Sequence, residues 1–172
     1  MRTIEQYLPD YSFFAGLDAD ALALIAGCAT NVSFAPGEFL LREGEPANQF
    51  FIIRRGRVAI QVHNPASGPM VVDTVDAGDV LGWSWLVPPY TCLFDVRAVE
   101  ATGAVSFDGR CLRGKCEEDS RLGYALMKLV TQVMLGRLTA ARLRLLDMYG
   151  TPITSPVALS PDVPGATHAD LD

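Results

Sequence analysis

Between Val32 and Phe107 the chain is cut into short runs rich in Val, Ile and Phe, each bounded by Gly, Pro, Asn or Asp. The runs are Glu38–Leu41, Gln49–Ile53, Arg57–Val62, Met70–Val75, Val80–Trp85, Phe94–Val99 and Ala104–Phe107. None is long enough for a stable helix, and their even spacing predicts an antiparallel β-sandwich or barrel. Val58, Ile60 and Val62 alternate with Arg57, Ala59 and Gln61, so one face of that strand is assigned to the core and the other to solvent.

Helical signals flank the strands. Leu17 to Cys28 opens with Asp18 as an N-cap and carries Leu22, Leu24, Ile25 and Cys28 near helical spacing, which predicts a short amphipathic helix over 17–28. A second short helix is expected at 110–117. A long one follows at 120–148, capped by Asp119 or Ser120, with Leu126, Val130, Val133, Leu138, Ala141 and Leu145 forming roughly one apolar stripe. Its length is about 40 Å at the helical rise. Such a stripe needs a second surface, either a second copy of the chain or the chain's own strands. Gly150 ends the helix, and residues 150–172, with four prolines, read as a flexible tail.

Gly37, Gly44, Gly56, Gly78 and Gly82 stand at strand junctions, in three strings: Phe34-x-x-Gly37-Glu38-x-Leu40-x-x-Glu43-Gly44, Phe50-Phe51-Ile52-Ile53-x-x-Gly56-x-Val58, and Val75-x-Ala77-Gly78-Asp79-x-Leu81-Gly82. In this order they resemble the cyclic-nucleotide-binding domain of the Crp–Fnr sensor superfamily, from about Phe13 to Tyr149. The resemblance implies a mainly β fold with α: an eight-stranded antiparallel jelly roll over 30–108, a hinge helix, then a long dimerisation helix. It makes 1–149 one domain and implies a homodimer through 120–148.

In nucleotide-binding members the segment after the Gly-Asp corner is a phosphate cassette. A Glu after the Gly holds the ribose, backbone N–H groups face the cyclic phosphate, and an Arg about nine residues later neutralises it. Here Gly82 is followed by Trp83, and counting back from Val96-Arg97-Ala98 places Cys92 where the Arg belongs. Arg97 lies five residues further along a strand, roughly 16 Å away. A buried phosphate without a cation costs several kcal/mol, so ordinary cAMP or cGMP binding is not expected.

The stretch from Trp83 to Tyr90 is apolar, aromatic and stiffened by Pro88 and Pro89. Its aromatics either fill the vacated pocket, leaving a structural or adaptor dimer, or line a site for a small apolar or aromatic ligand. The ligand-binding candidates are Gly82, Trp83, Ser84, Trp85, Leu86, Tyr90, Cys92 and Asp95. A cyclic-nucleotide, redox or haem sensor is the further alternative, with Cys92 and His63 as the weak haem or iron–sulfur candidates.

Other classes are disfavoured. With 49% hydrophobic and 20% charged residues the chain is not of disordered composition. A net charge of −6 repels a phosphate backbone, and the tail has no Lys or Arg, so direct DNA binding is not expected. No cofactor is identified, no metal site is expected, and one His in the roll cannot make the His cluster of a jelly-roll metalloenzyme, so the chain is read as a non-enzyme. No export signal or membrane span is found, which predicts a cytoplasmic protein whose four cysteines, Cys28, Cys92, Cys111 and Cys116, are reduced. Cys111 and Cys116, five apart on a helix, point to different faces, against a disulfide between them. The expected role is a regulatory or sensor module acting through protein contacts.

Overall fold

The computed structural model describes residues 2–149. It contains eight antiparallel strands in two four-stranded sheets, the jelly roll that the glycine strings imply. The strands are β1 (Ala29–Phe34), β2 (Phe39–Leu41), β3 (Gln49–Arg55), β4 (Val58–Asn64), β5 (Gly68–Val75), β6 (Val80–Leu81), β7 (Asp95–Ala98) and β8 (Thr102–Asp108). One sheet runs β1-β8-β3-β6, the other β2-β7-β4-β5. Four α-helices accompany them among the described residues: α1 (Ile4–Tyr7), α2 (Ala19–Ala26), α3 (Gly109–Glu118) and α4 (Ser120–Tyr149).

Register decides which side chains meet. In the β3–β8 pair Phe50 opposes Phe107 and Ile52 opposes Val105, while Phe51 opposes Ser106 and Ile53 opposes Ala104. Residues directly opposite share a face and the faces alternate. Phe51, Ile53 and Ala104 therefore join Val58, Ile60, Val75, Leu81 and Val96 inside the roll. Phe50, Ile52, Val105 and Phe107 point the other way, into a second cluster with Phe14, Ile25, Trp85, Leu112, Leu122 and Leu126 from the helical layer. Strands β3 and β8 are thus buried on both faces, while the edge strand β1 is partly exposed and Arg97 on β7 of the other sheet is exposed.

The helix ends follow their caps. Asp18 accepts from the Ala21 N–H, Asp108 from those of Arg110 and Cys111, and Asp119 from that of Arg121. Of the two cap candidates for the long helix it is therefore Asp119 that caps α4.

Several expectations need correcting. The run Val80–Trp85 is not one strand: β6 stops at Leu81, Gly82 turns left-handed (φ 87°), and Trp83–Trp85 form a 3-10 turn. β1 begins at Ala29, ahead of the recognisable strand texture, because it is held by pairing with β8 rather than by its own composition. The apolar stripe of α4 is two surfaces. Leu122, Leu126 and Val130 are buried in the chain's own helical cluster, while Leu138 and Leu145 are exposed. The chain divides into two compact units, the first ending at Gly136; in the second, the described residues continue the helix from Arg137 to Tyr149. The tail assigned to 150–172 lies outside the described residues.

The cysteines also depart from expectation. Cys28 and Cys111 are joined by a disulfide, 83 residues apart in sequence; Cys92 and Cys116 are free. Fold geometry explains the pairing. The Asp108 N–H donates to the Cys28 carbonyl at 2.8 Å, which brings the first turn of α3 to the end of α2 and leaves the two Cα atoms 5.8 Å apart, within bridging range.

All five junction glycines have positive φ, and Gly56 is the most constrained. A Cβ there would lie 2.7 Å from the Ala101 carbonyl oxygen and 2.9 Å from the Thr102 Cα, on backbone with φ +83°. Gly56→Ala should therefore lower unfolding free energy by about 2–3 kcal/mol, read as a lower urea midpoint at unchanged slope. A loss under about 0.5 kcal/mol would mean that the corner relaxes freely.

Candidate functional site

The segment from Gly82 to Tyr90 follows β6 on the way to β7 and carries two tight turns of its own. The Leu86 N–H donates to the Trp83 carbonyl and that of Tyr90 to the Val87 carbonyl. Trp85 is 1% exposed and packs against Phe50, with ring centroids 6.3 Å apart. Helix α3 lies so close that a Cβ on Gly109 would fall 2.7 Å from the Trp85 Cβ. From α3, the Arg113 guanidinium donates to the Trp85 carbonyl at 2.6 Å and sits 4.5 Å over the Tyr90 ring. One cation therefore grips the segment twice, by a charge-assisted hydrogen bond and a cation–π contact.

A cleft of about 530 Å³ opens beside this segment at one end of the roll. Cys28 and Thr30 of the β1 end, Leu40, Leu41 and Arg42 of the β2 end, Glu45 and Pro46, Asn48 and Gln49 at β3, Cys92, and Ser106 and Asp108 of β8 line it. The loop after β2 is laced to the residues before β7. Cys92 N–H donates to the Glu45 carbonyl and Gly44 N–H to the Cys92 carbonyl, both at 2.9 Å; Ala47 N–H donates to the Tyr90 carbonyl at 2.7 Å. Asp95 accepts from the Glu43 N–H at 2.8 Å and lies 4.0 Å from Arg42, whose guanidinium also stacks 4.1 Å over Phe39.

The eight sequence-predicted site residues do not converge on one cavity. Cys92 lines the cleft. Trp83, Trp85 and Leu86 pack into the helical cluster instead. Tyr90 is on the surface under Arg113, Ser84 is half-exposed, Gly82 forms the corner, and Asp95 anchors the β2–β3 loop. Trp85 Nε1 is buried without a hydrogen-bond partner among the described residues. Arg97, the displaced cation, donates to the Gly37 carbonyl at 2.7 Å and is occupied in bracing the β2 corner. Arg42, Glu45, Gln49, Ser106 and Asp108 were not recognisable as site residues, because the cleft assembles them from four separate segments with no motif in common.

Electrostatically the cleft is mixed. Burial pushes the Cys92 thiol up from its usual range, and the nearby Glu45 carboxylate adds to the effect. Burial likewise raises Cys116, helped by Asp119 and Glu117. Among the described residues no three of His, Cys, Asp and Glu gather to hold a metal ion.

An eight-stranded roll followed by a short helix and a long one defines the class of β-roll domains to which the chain's architecture belongs. The family model for the cyclic nucleotide-binding domain matches residues 31–119, half of the chain, and the chain belongs to that family. A protein from Geobacter metallireducens designated as a cyclic nucleotide-binding protein is similar in structure, with a TM-score of 0.72 and 30% identity over 80% of this chain and 99% of that one. A CRP-like cAMP-activated global transcriptional regulator of Mycobacterium tuberculosis is 23% identical over 155 residues, 90% of this chain and 67% of that protein. The acetyltransferase Pat of Mycolicibacterium smegmatis is 36% identical over 70 residues, 41% of this chain, which spans about a fifth of the acetyltransferase's length. Among the described residues no helix is long and apolar enough to cross a membrane.

A raised thiol pKa means less thiolate at neutral pH. Iodoacetamide should therefore label Cys92 of the folded protein several-fold more slowly than an unfolded-chain cysteine at pH 7, with the rate climbing as pH rises above the usual thiol range. Labelling as fast as in the unfolded chain would contradict the buried, anion-flanked placement.

Proposed function

We propose that this domain is a regulatory module that works through protein contacts and does not bind cAMP or cGMP in the family's usual manner. The observation that carries this reading is the pair of positions occupied by Trp83 and Cys92, where the resemblance calls for a ribose-binding Glu and a phosphate-binding Arg. The cations nearby offer no substitute. Arg97 braces the β2 corner, Arg113 grips the Trp83–Tyr90 segment from outside, and Arg42 shares the cleft with Glu45 and Asp108 while lying 4.0 Å from Asp95. A cyclic phosphate in the cleft would meet two carboxylates and one already engaged guanidinium.

The output surface in this reading is α4. Tyr124, Met127, Thr131, Met134, Leu138, Ala141, Leu145 and Met148 recur at alternating steps of three and four, a heptad seam that runs along the helix. The six large apolar members are 44 to 70% exposed. A second copy of the helix covers such a seam in a two-stranded coiled coil, making the domain a homodimer, while α3 transmits movement of the roll to the helix. The role is regulatory and non-enzymatic, and the cytoplasm suits it.

A second reading has one observation in its favour. The cleft beside Cys92 is large enough for a small molecule and lined by polar groups, which suits a polar ligand better than an aromatic one.

Calorimetry with cAMP and cGMP tests the main reading. The wild-type chain should give no saturable heat up to about 1 mM nucleotide, and the double variant Trp83→Glu, Cys92→Arg should gain binding by at least about tenfold. Micromolar binding by the wild type would overturn the reading.

A further inference from the structure

Helix α3 is the short link between the last strand of the roll and α4, with Asp119 as the single residue between the two helices. Its non-covalent ties are numerous but individually modest. Arg113 holds the Trp85 carbonyl and the Tyr90 ring, Arg110 donates to Asn48 Oδ1 at 3.2 Å, the Lys115 ammonium donates to the Leu24 carbonyl, and Leu112 is buried. The Arg110 and Lys115 contacts are exposed and the Arg113 contact is part-buried, and polar contacts of this kind open and close locally without the domain unfolding. One tie is different: Cys111, in the first turn of α3, is bonded to Cys28 at the α2–β1 junction. It is a covalent anchor at the point where the helical layer meets the roll.

That bond is within reach of solvent chemistry. Cys111 is half-buried, and Cys28 lines the open cleft. The other two cysteines are poor internal partners, since burial keeps both thiols protonated at neutral pH. Exchange therefore depends on a reagent from outside.

We propose that Cys28–Cys111 is a redox-controlled clamp on the hinge helix, opened by exchange with a reducing dithiol and closed again by the corresponding disulfide. The dithiol's thiolate attacks the Cys111 Sγ; the sulfur–sulfur bond breaks, a mixed disulfide forms and Cys28 leaves as a thiolate that takes up a proton. The dithiol's second thiol then attacks the mixed disulfide and releases Cys111. Two electrons and two protons pass to the cysteine pair, and the dithiol becomes a cyclic disulfide. With the clamp open, α3 is held only by its non-covalent ties, and it moves more freely between the roll and the first turns of α4. In a reducing compartment such a bond is transient and senses oxidation, whereas in an oxidising one it is permanent. The clamp goes beyond the nucleotide-free regulatory role, and because Cys28 lines the cleft its access to a dithiol is greatest when the cleft is empty.

The test compares the full chain oxidised with oxidised dithiothreitol and reduced with dithiothreitol. Alkylation in denaturant should count two free thiols, Cys92 and Cys116, in the oxidised protein and all four after reduction. Hydrogen–deuterium exchange over the first minutes should then rise about tenfold across 109–118 on reduction, while β3 residues 50–53 stay protected in both states. The variants Cys28→Ser and Cys111→Ser should match the reduced wild type with or without reductant; if either fails to fold, the wild-type comparison decides alone. Four free thiols after oxidation would overturn the proposal. So would unchanged exchange across 109–118, or an equal rise in β3, which would mark the bond as a general staple.

Discussion

Strands β3 and β8 carry the structure because neither of their faces is available to water. Phe51, Ile53 and Ala104 close the inside of the roll, and Phe50, Ile52, Val105 and Phe107 on the reverse side demand a helical cover. A sheet apolar on both faces cannot stand as half of a sandwich with one solvated side. The N-terminal segment, α2, α3 and the first half of α4 are what satisfies it, through Phe14, Ile25, Leu112, Leu122 and Leu126. The opposite sheet, buried on its inner face, carries Arg97 and Asp95 on the other.

This asymmetry places the regulatory parts. The helical layer sits over the two-faced sheet, so α3 leaves the end of β8 already packed against Trp85 and the corner segment. Arg113 and the disulfide partner Cys111 fall on that same short helix, one directed to the corner segment and the other to the α2–β1 junction. The ten residues of α3 are the covalent path from the corner and the junction to α4. With Trp83 and Cys92 at the two positions where the resemblance calls for polar anchors, this short connection is the part of the proposed mechanism that does not need a nucleotide.

The roll was legible because its evidence is local. Five glycines that take positive φ mark the corners, and the two-residue alternation of Val58 and Ile60 reports their shared face. The caps at Asp18 and Asp119 were legible for the same reason. What the sequence could not show is whatever depends on distant segments meeting. Cys28 and Cys111 are ordinary thiols until β1–β8 pairing and the 28–108 hydrogen bond bring them together. Trp83 and Trp85 read equally well as pocket lining or as filling, and only the placement of α3 puts them in the helical cluster. Of the single stripe read on α4, Leu126 and Val130 are buried with Leu122, while Leu138 and Leu145 are exposed; the outward residues Met127 and Met134 lie on a different face of the helix from the buried row and were not part of that stripe.

The domain is, in this account, a cyclic-nucleotide-binding fold whose nucleotide anchors have been replaced and whose output is the α4 seam. Native mass spectrometry of the freshly purified chain tests both halves at once. The account predicts a species of two chains with no added mass beyond them. A monomer, or a dimer that carries a cyclic nucleotide, would contradict it.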